Sequence, residues 1–261
     1  ITFQEAKNIW SNYQELYLNI NNSIVLNNKE YLKGLIKAEL PEYAEEIEKN
    51  IGFVEASIGR MVPALPEDKK QGNFLRVAVE PYDILPVDKD AFKGEIPSDV
   101  KNLYPFTPFS LYIERKLYMH NMSHALTAYF GALKGYTYVW EAAKDAEIKL
   151  MALRALTESS RALSKEYGVP LEELLSFSEN LIGRFGDTIE RVGKDTKRKL
   201  SENDRFVGAA RLCEKHGIAP MNILAGLAAG LHFAPESDEA AIEVSTDART
   251  NGVKHALEVY S

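Results

Sequence analysis

Apolar residues recur at helical spacing over most of this 261-residue chain. In residues 5–18 and 28–50, Ile, Leu and Tyr return every three or four positions, which predicts helices. Between them, LYLNINNSIVL alternates apolar with polar residues and favours a short strand. We therefore expect the first fifty residues to be mostly helical.

The pattern changes near residue 53. The stretches GFVEASIGRMVPAL and NFLRVAVEPYDILPVD are rich in Val, Ile and aromatic residues, and they are separated by the polar turn PEDKKQGN. Short runs of β-branched and aromatic residues bounded by Pro and Gly are typical of strands. The sequence thus predicts two or three short strands in a small β-containing segment near residues 53–95.

Helical spacing returns after residue 108 and continues almost to the end of the chain. We place the boundary between the small mixed part and this helical body near residues 95–107. The helix signals are Pro108 in a first turn, Gly168 and Gly217 as stops, Pro170 as a start and Ser201 as an N-cap. The predicted helices span residues 109–131, 142–168, 170–185, 201–217, 219–233 and 237–259.

Composition and charge narrow the class of protein. Hydrophobic residues make up 45% and charged residues 26% of the chain, as in a globular protein with a sizeable core. A net charge of -7 argues against broad binding to nucleic acid or to an anionic membrane, but it leaves room for a small basic pocket. The single Cys213 cannot form an internal disulfide, which fits a reducing cytoplasm.

The N-terminus and the missing nucleotide motifs lead to two further expectations. The sequence opens on Ile1 without a signal-peptide pattern, so we expect it to be a piece of a longer chain. No GxGxxG and no P-loop occurs in it. The chain by itself therefore gives no sign of a dinucleotide-binding turn.

Three polar residues of one predicted helix could act on a substrate oxygen. With about 100° per residue, His124 lies roughly 80° and Asn121 roughly 140° around the helix from Lys116. A desolvated lysine can act as a base, an asparagine can donate to an oxyanion, and a histidine can orient a second hydroxyl. The alternative is a solvated charged face, since Lys116 directly follows Glu114 and Arg115.

A basic segment, RFGDTIERVGKDTKRKLSENDR, stands out in the otherwise acidic chain. Arginine can grip a phosphate with two hydrogen bonds, and lysine adds a point charge. The alternative is a solvated loop whose cations pair with its own acidic residues. The cations are Arg184, Arg191, Lys194, Lys197, Arg198, Lys199 and Arg205.

The pattern Lys116-x4-Asn121-x2-His124 resembles the signature of the polyol-specific long-chain dehydrogenases. Its surroundings, ERKLYMHNMSHALTAYFGALKGY, look most like the mannitol-1-phosphate 5-dehydrogenase branch of that family. The resemblance covers about residues 50–233. It continues through IGFVEASIGRMVP, VDKDAFKGEIP, GRFGDTIERVGKDTKRKLSENDR and GIAPMNILAGLAAGLHF.

This resemblance implies a fold and a domain organisation. The fold would be mainly α, a multi-helical substrate domain like the C-terminal domain of 6-phosphogluconate dehydrogenase-like enzymes. That domain would span residues 53–261. Residues 1–52 would be a remnant or tail of an N-terminal dinucleotide-binding domain.

The resemblance also implies an activity and a set of site residues. The activity would be a metal-independent oxidoreductase that interconverts D-mannitol 1-phosphate and D-fructose 6-phosphate with NAD(H). Lys116 would be the general acid/base, Asn121 would steady the reacting oxygen, and His124 would bind substrate. Arg191 and Lys199 would be substrate-binding. The expected partner is a small sugar phosphate, without nucleic acid or membrane, and the oligomeric state stays open.

The sequence departs from the family at its N-terminal end. Almost all of the dinucleotide-binding domain is missing, and the family's Glu-Asn pair has no Glu where Asn21 and Asn22 stand. Two alternatives therefore remain open. One is a related substrate such as mannitol, fructuronate or tagaturonate, and the other is a non-catalytic domain that binds sugar phosphate.

Overall fold

The computed structural model of the chain describes residues 28–63 and 65–260. It is 61% helical and 5% strand, which confirms the expectation of a mainly α fold with a small β part. The helix predicted for residues 5–18 and the strand predicted after it lie outside the described residues. Asn21 and Asn22 lie outside them as well.

The chain divides into two compact units. The first contains the described residues up to Ala56 together with Ile84–Pro108, and the second contains Ser57–Asp83 together with the chain from Phe109 onward. Each unit therefore combines segments that are separate in the sequence.

Helices begin the first unit. Helix α1 covers Asn28–Glu39, a 3-10 turn covers Pro41–Tyr43, and α2 covers Ala44–Asn50. The sequence predicted one continuous helix over residues 28–50. The break falls at Leu40, because the following proline disfavours helical backbone in the residue before it and has no N–H to donate.

A two-stranded parallel sheet completes the first unit. Strand β1 (Leu85–Asp88) pairs with β2 (Leu103–Phe106), and Leu85 lies opposite Leu103. Ala56 adds an isolated antiparallel bridge to Val87. Strand β1 falls inside the predicted segment, whereas β2 lies beyond it and the apolar residues 73–79 form no strand.

The second unit is built from helices. A single turn, α3, covers Glu67–Lys70. The chain then runs helically from Ser110 to Leu133 through α4, a π-helical turn and α5. The bounds are α4 Ser110–Arg115, the π-turn Lys116–Asn121, α5 Met122–Leu133, α6 Val139–Lys144, α7 Ala146–Tyr167, α8 Leu171–Ile182, α9 Ile189–Gly193, α10 Thr196–Leu200, α11 Val207–Lys215, α12 Met221–Gly230, α13 Glu239–Asn251 and α14 Val253–Tyr260.

Glycines end several helices where the sequence predicts. Gly168 and Gly217 have φ angles of 67° and 68°, the left-handed backbone that glycine adopts without strain. The prediction that Ser201 caps a helix N-terminus is wrong. Its backbone N–H donates to the carbonyl of Arg198 at the end of α10, and α11 begins only at residue 207. Gly252 divides the predicted last helix into α13 and α14.

Helix α5 lies at the centre of the second unit and packs against α6, α7, α9 and α12. Its buried side chains include Met122, Leu126 and Tyr129, all without exposed surface. Because α5 is packed on most of its circumference, its N-terminal end holds side chains in fixed positions. In the part of the chain that the structure describes, no helix combines the length and apolar character needed to cross a membrane.

Candidate active site

The π-turn determines how Lys116 and Asn121 are presented. Its hydrogen bonds join residues five apart, as in the bond from the N–H of Met122 to the carbonyl of Leu117. Residues 116 and 121 have this same spacing, so they lie on neighbouring positions of successive turns. They are therefore closer around the helix than the roughly 140° expected from a regular α-helix. Such π insertions are frequent at functional sites.

Lys116 is a partly buried amine. Its loss of hydration lowers the pKa of the ammonium group from its usual value, because the charged form is the one that burial disfavours. Among residues 28–63 and 65–260, no hydrogen bond or ion pair to this group is found. A lysine of this kind gives up its proton more readily than an exposed one.

His120 and His124 lie one turn apart, just past Lys116. Their ring centroids are 6.2 Å apart, and the ring of Phe185 stacks on His124 with centroids 4.4 Å apart and planes inclined by 12°. The Nε2 atom of His124 is buried without a hydrogen-bond partner among the described residues. An imidazole nitrogen without a partner has an unused capacity to donate or accept one hydrogen bond.

Burial keeps both histidines neutral at physiological pH. It lowers the pKa of His120 to about 4 and that of His124 to about 3. Positive neighbours strengthen the effect on His124, namely His120 when it is protonated, Arg205, Lys199 and Arg191. Arg205, Lys199 and Arg191 therefore lie near enough to His124 for their positive charge to act on its imidazole.

A cavity of about 340 Å³ opens at His124. We call it the His124 cavity, and its size falls within the range of small-molecule sites. One wall is an irregular segment, residues 57–63 and 65–83, which we call the strap; it contributes Met61, Val62, Pro63, Ala78, Val79 and Glu80. The other wall contributes His124, Arg184, Gly186, Asp187 and Arg191.

Both arginines of the His124 cavity have carboxylate partners. The Nη1 atom of Arg191 lies 2.6 Å from Oδ2 of Asp187, while about half of the Arg191 side chain stays exposed. The Nε atom of Arg184 donates to Oε2 of Glu80 at 2.8 Å. Each guanidinium keeps further N–H groups for a ligand, since arginine has five.

Lys199 is a buried lysine of the basic segment, and its substrate-binding role stays a prediction. It is only 4% exposed, and its ammonium group donates to the backbone carbonyls of Val192, at 2.7 Å, and of Lys194. Burial and the nearby Arg205 lower its pKa to about 7. In this arrangement Lys199 ties α10 to the end of α9.

The structure thus brings some of the sequence-predicted residues together. His124 and Arg191 line one cavity, and Lys199 lies close enough to affect the pKa of His124. As far as the described residues define it, the lining does not include Lys116, Asn121 or Lys199. Lys116 and Asn121 stand on the π-turn just before His124, so the roles expected for the five residues stay predictions.

Sequence reasoning missed two contributors to the site. Phe185 gave no signal, because a phenylalanine in a basic segment looks like ordinary packing. Glu80 was hidden in VEPYD, which reads as the end of a strand. The only available hint for Glu80 was an acidic residue next to Pro at the end of an apolar run.

The described residues offer no fit for a dinucleotide or for a metal cluster. Strand β1 leads into the 3-10 turn Lys89–Ala91, and β2 leads through Thr107, Pro108 and Phe109 into α4, so neither connection has the glycines that a pyrophosphate turn requires. Among the same residues no group of three His, Cys, Asp or Glu is placed to hold a metal ion. We therefore derive no step through a cofactor from this part of the chain.

Known proteins resemble the chain over most of its length. A family model described as the mannitol dehydrogenase C-terminal domain matches residues 109–258. A mannitol-1-phosphate 5-dehydrogenase from Caldanaerobacter subterraneus subsp. tengcongensis is 36% identical over 230 residues, which are 86% of this chain and 58% of that protein. One from Thermoanaerobacter pseudethanolicus is 35% identical over 221 residues, 83% of this chain and 56% of that protein. The chain spans little more than half the length of these relatives.

Two solved structures have the same fold. One is the Pseudomonas fluorescens mannitol 2-dehydrogenase in a ternary complex with NAD and D-mannitol, with a TM-score of 0.63 and 17% identity over 88% of this chain and 58% of that one. The other is a D-sorbitol dehydrogenase in substrate-free form, with a TM-score of 0.63 and 17% identity over 86% of this chain and 58% of that one. At this level of identity the likeness concerns the fold alone.

Proposed function

Since the chain belongs to the mannitol dehydrogenase family through its C-terminal domain, we propose that it forms the substrate-binding and proton-transferring part of an oxidoreductase. The enzyme interconverts D-mannitol 1-phosphate and D-fructose 6-phosphate with NAD(H). Residues 53–261 form the substrate domain, and residues 1–52 are the tail of a dinucleotide-binding domain. The names of the relatives support the choice of substrate.

One observation carries the proposal. His124 and Arg191, which are far apart in the sequence, line the same cavity, and Lys116 and Asn121 lie on the π-turn that leads into α5, the helix of His124. A polyol phosphate needs partners for its hydroxyls, a cation for its phosphate and a base beside the reacting carbon. These four residues supply all three chemical functions.

The proton chemistry follows from the properties of these side chains. Lys116, whose pKa is lowered by burial, accepts the proton of the reacting hydroxyl and returns it in the reverse direction. NAD⁺, bound outside the described residues, would take up the hydride that leaves the reacting carbon. The amide of Asn121 donates a hydrogen bond to the same oxygen, which carries negative charge during the reaction. The Nε2 atom of His124 contacts a neighbouring hydroxyl, and Arg191 binds the phosphate.

A second candidate substrate is an unphosphorylated polyol or its ketose. The observation that favours it is the pairing of Arg184 with Glu80 and of Arg191 with Asp187, which leaves little uncompensated positive charge on the cavity wall. The two candidates differ in one property, namely the preference for a phosphate ester.

The test is the reduction of fructose 6-phosphate or fructose by NADH, followed by the loss of NADH absorbance. The chain as given and the complete open reading frame that encodes it are assayed side by side. We expect turnover of fructose 6-phosphate at far lower concentration than fructose. Turnover of fructose alone would point to the second candidate, and a folded, NADH-binding protein inactive on both would refute both.

Lys116→Ala tests the role of the amine in the same assay. We expect at least about a 100-fold loss of turnover, the lower range for removal of a general acid/base, with NADH binding unchanged. Lys254→Ala is the matched control, because its side chain is 91% exposed. Full activity of Lys116→Ala would remove this residue from the mechanism.

A further inference from the structure

The strap is a wall of the His124 cavity that has no regular structure of its own. Apart from the single turn α3, the described residues of the strap form neither helix nor strand. Its backbone hydrogen bonds, such as those from Lys69, Lys70 and Arg76, are local and reach acceptors only a few residues away. The position of the strap therefore depends on side-chain contacts with the helices.

Arg184 and Glu80 make the strongest of these contacts. The guanidinium donates twice to the carboxylate, from Nε to Oε2 at 2.8 Å and from Nη2 to Oε1 at 2.5 Å. About a fifth of each side chain is exposed, at 21% and 19%. A bidentate, mostly buried pair of this kind is stronger than an exposed ion pair and fixes the direction of both side chains.

The same two side chains also hold the other end of the strap. The Nη2 atom of Arg184 donates to the carbonyl of Gly59 at 3.0 Å, and Oε1 of Glu80 accepts from the backbone N–H of Met61 at 2.7 Å. The ring of Tyr82 lies 5.2 Å from the guanidinium. One ion pair therefore joins two segments of the strap to each other and to the loop between α8 and α9.

That loop also contacts His124 and Arg191, which line the same cavity. Phe185, the residue after Arg184, stacks on His124, and Asp187 holds Arg191. The strap also contributes the apolar residues Val62 and Val79 to the lining of the His124 cavity. Apolar residues beside the polar groups of a cavity lower the local polarity, which strengthens hydrogen bonds to a bound polyol.

We propose that Glu80 and Arg184 are positioning residues that hold the strap against the substrate in the His124 cavity, without binding the substrate themselves. This inference rests on the proposed function for the identity of the substrate. The pair fixes the distance between the strap and the groups on His124 and Arg191. Breaking it weakens substrate binding while leaving the helical body folded.

The first arm of the test needs no ligand. Hydrogen exchange of the strap amides is compared in the wild type, Glu80→Ala and Glu80→Gln. We expect exchange at Met61 to be fastest in Glu80→Ala and intermediate in Glu80→Gln, which keeps an acceptor but loses the charge. The thermal midpoint should fall by less than about 4 °C, which corresponds to a loss of about 1 kcal/mol of unfolding free energy in a domain of this size.

The second arm measures binding by isothermal titration calorimetry, with fructose 6-phosphate and fructose as probes. We expect Glu80→Ala and Arg184→Lys to weaken the binding of both probes by about tenfold or more, within the range reported for a small misplacement of binding groups. In the active protein, KM rises by a similar factor while kcat changes much less. Glu202→Gln, which breaks the exposed Arg211–Glu202 pair, is the control and should change nothing.

The outcomes separate this inference from the proposed function. Unchanged exchange at Met61 in Glu80→Ala, or a collapse of the whole fold in both Glu80 variants, overturns the positioning role whatever the substrate is. A loss in Arg184→Lys confined to the phosphate ester also overturns it, because Arg184 would then bind the anion directly. If the wild type binds neither probe while the exchange result is as expected, the proposed substrate is refuted, but Glu80 and Arg184 still hold the strap in place.

Discussion

Acid should destabilise the protein through His120 and His124. Burial lowers their pKa values from 6.5 to about 4 and about 3. When a folded-state pKa lies below the unfolded one for a histidine, the unfolded chain takes up the proton first as the pH falls. The contribution of the two neutral histidines to the unfolding free energy is therefore complete above about pH 6.5. It is lost progressively as the pH falls from there to the folded-state pKa.

The size of the effect follows from these shifts. At pH 5 the unfolded histidines are protonated, about 1.5 units below their pKa, while the folded ones are still neutral. Each unit corresponds to about 1.4 kcal/mol, so each histidine removes about 2 kcal/mol of unfolding free energy and the two together about 4 kcal/mol. Partly buried Glu114 acts in the opposite direction, because burial raises its pKa and acid then favours the folded state.

Urea unfolding at pH 7 and pH 5 measures this loss, and a variant isolates one histidine. His124→Phe keeps the aromatic stack on Phe185 but cannot titrate. We expect the difference in unfolding free energy between the two pH values to shrink by about 2 kcal/mol in this variant. His232→Phe is the control, because His232 is exposed. If His124→Phe keeps the full wild-type difference, the reasoning from a buried neutral imidazole is refuted.

Two further predictions concern stability at neutral pH, and urea unfolding checks both. Gly193→Ala should lower the unfolding free energy by about 1–3 kcal/mol, because the new methyl group would come within 2.6 Å of Cε1 of Phe233. Gly183→Ala is the control and should be tolerated, because its methyl group would have no neighbour within 4 Å. An equal loss in both variants would contradict the clash. Asp145→Ala should lower the unfolding free energy by about 1–2 kcal/mol, because the Asp145 carboxylate caps two backbone amides at the start of α7. Glu147→Ala is the control: it loses only an exposed ion pair and should lower the unfolding free energy by less than about 0.5 kcal/mol.

Much of the fold was accessible from the sequence because it depends on local signals. Helical spacing of apolar residues gave the class of fold, and Gly168, Gly217 and Pro170 marked boundaries that the structure has. The β-rich appearance of residues 73–79 misled the prediction. A strand needs a partner strand, and that partner is a property of the tertiary structure.

The candidate site was accessible only in part. The spacing of Lys116, Asn121 and His124 gave the helix that carries them, but the π-turn that brings 116 and 121 closer around the helix has no sequence signature. The burial of Lys199 could not be read either, since a lysine in a basic run looks exposed. Local patterns identify the residue types of a site, whereas some of their partners come from distant segments, as Glu80 does for Arg184 at a separation of 104 positions.

The separation of Glu80 and Arg184 along the chain also bears on how the protein folds. These residues are 104 positions apart, and closing a flexible loop of that length costs on the order of 4 kcal/mol in chain entropy. The loss of chain entropy is small only after the intervening helices have packed together, so the His124 cavity is completed late in folding. The reverse path begins at the same place: the strap opens in local fluctuations before the helical body unfolds, and a protease would cut there first.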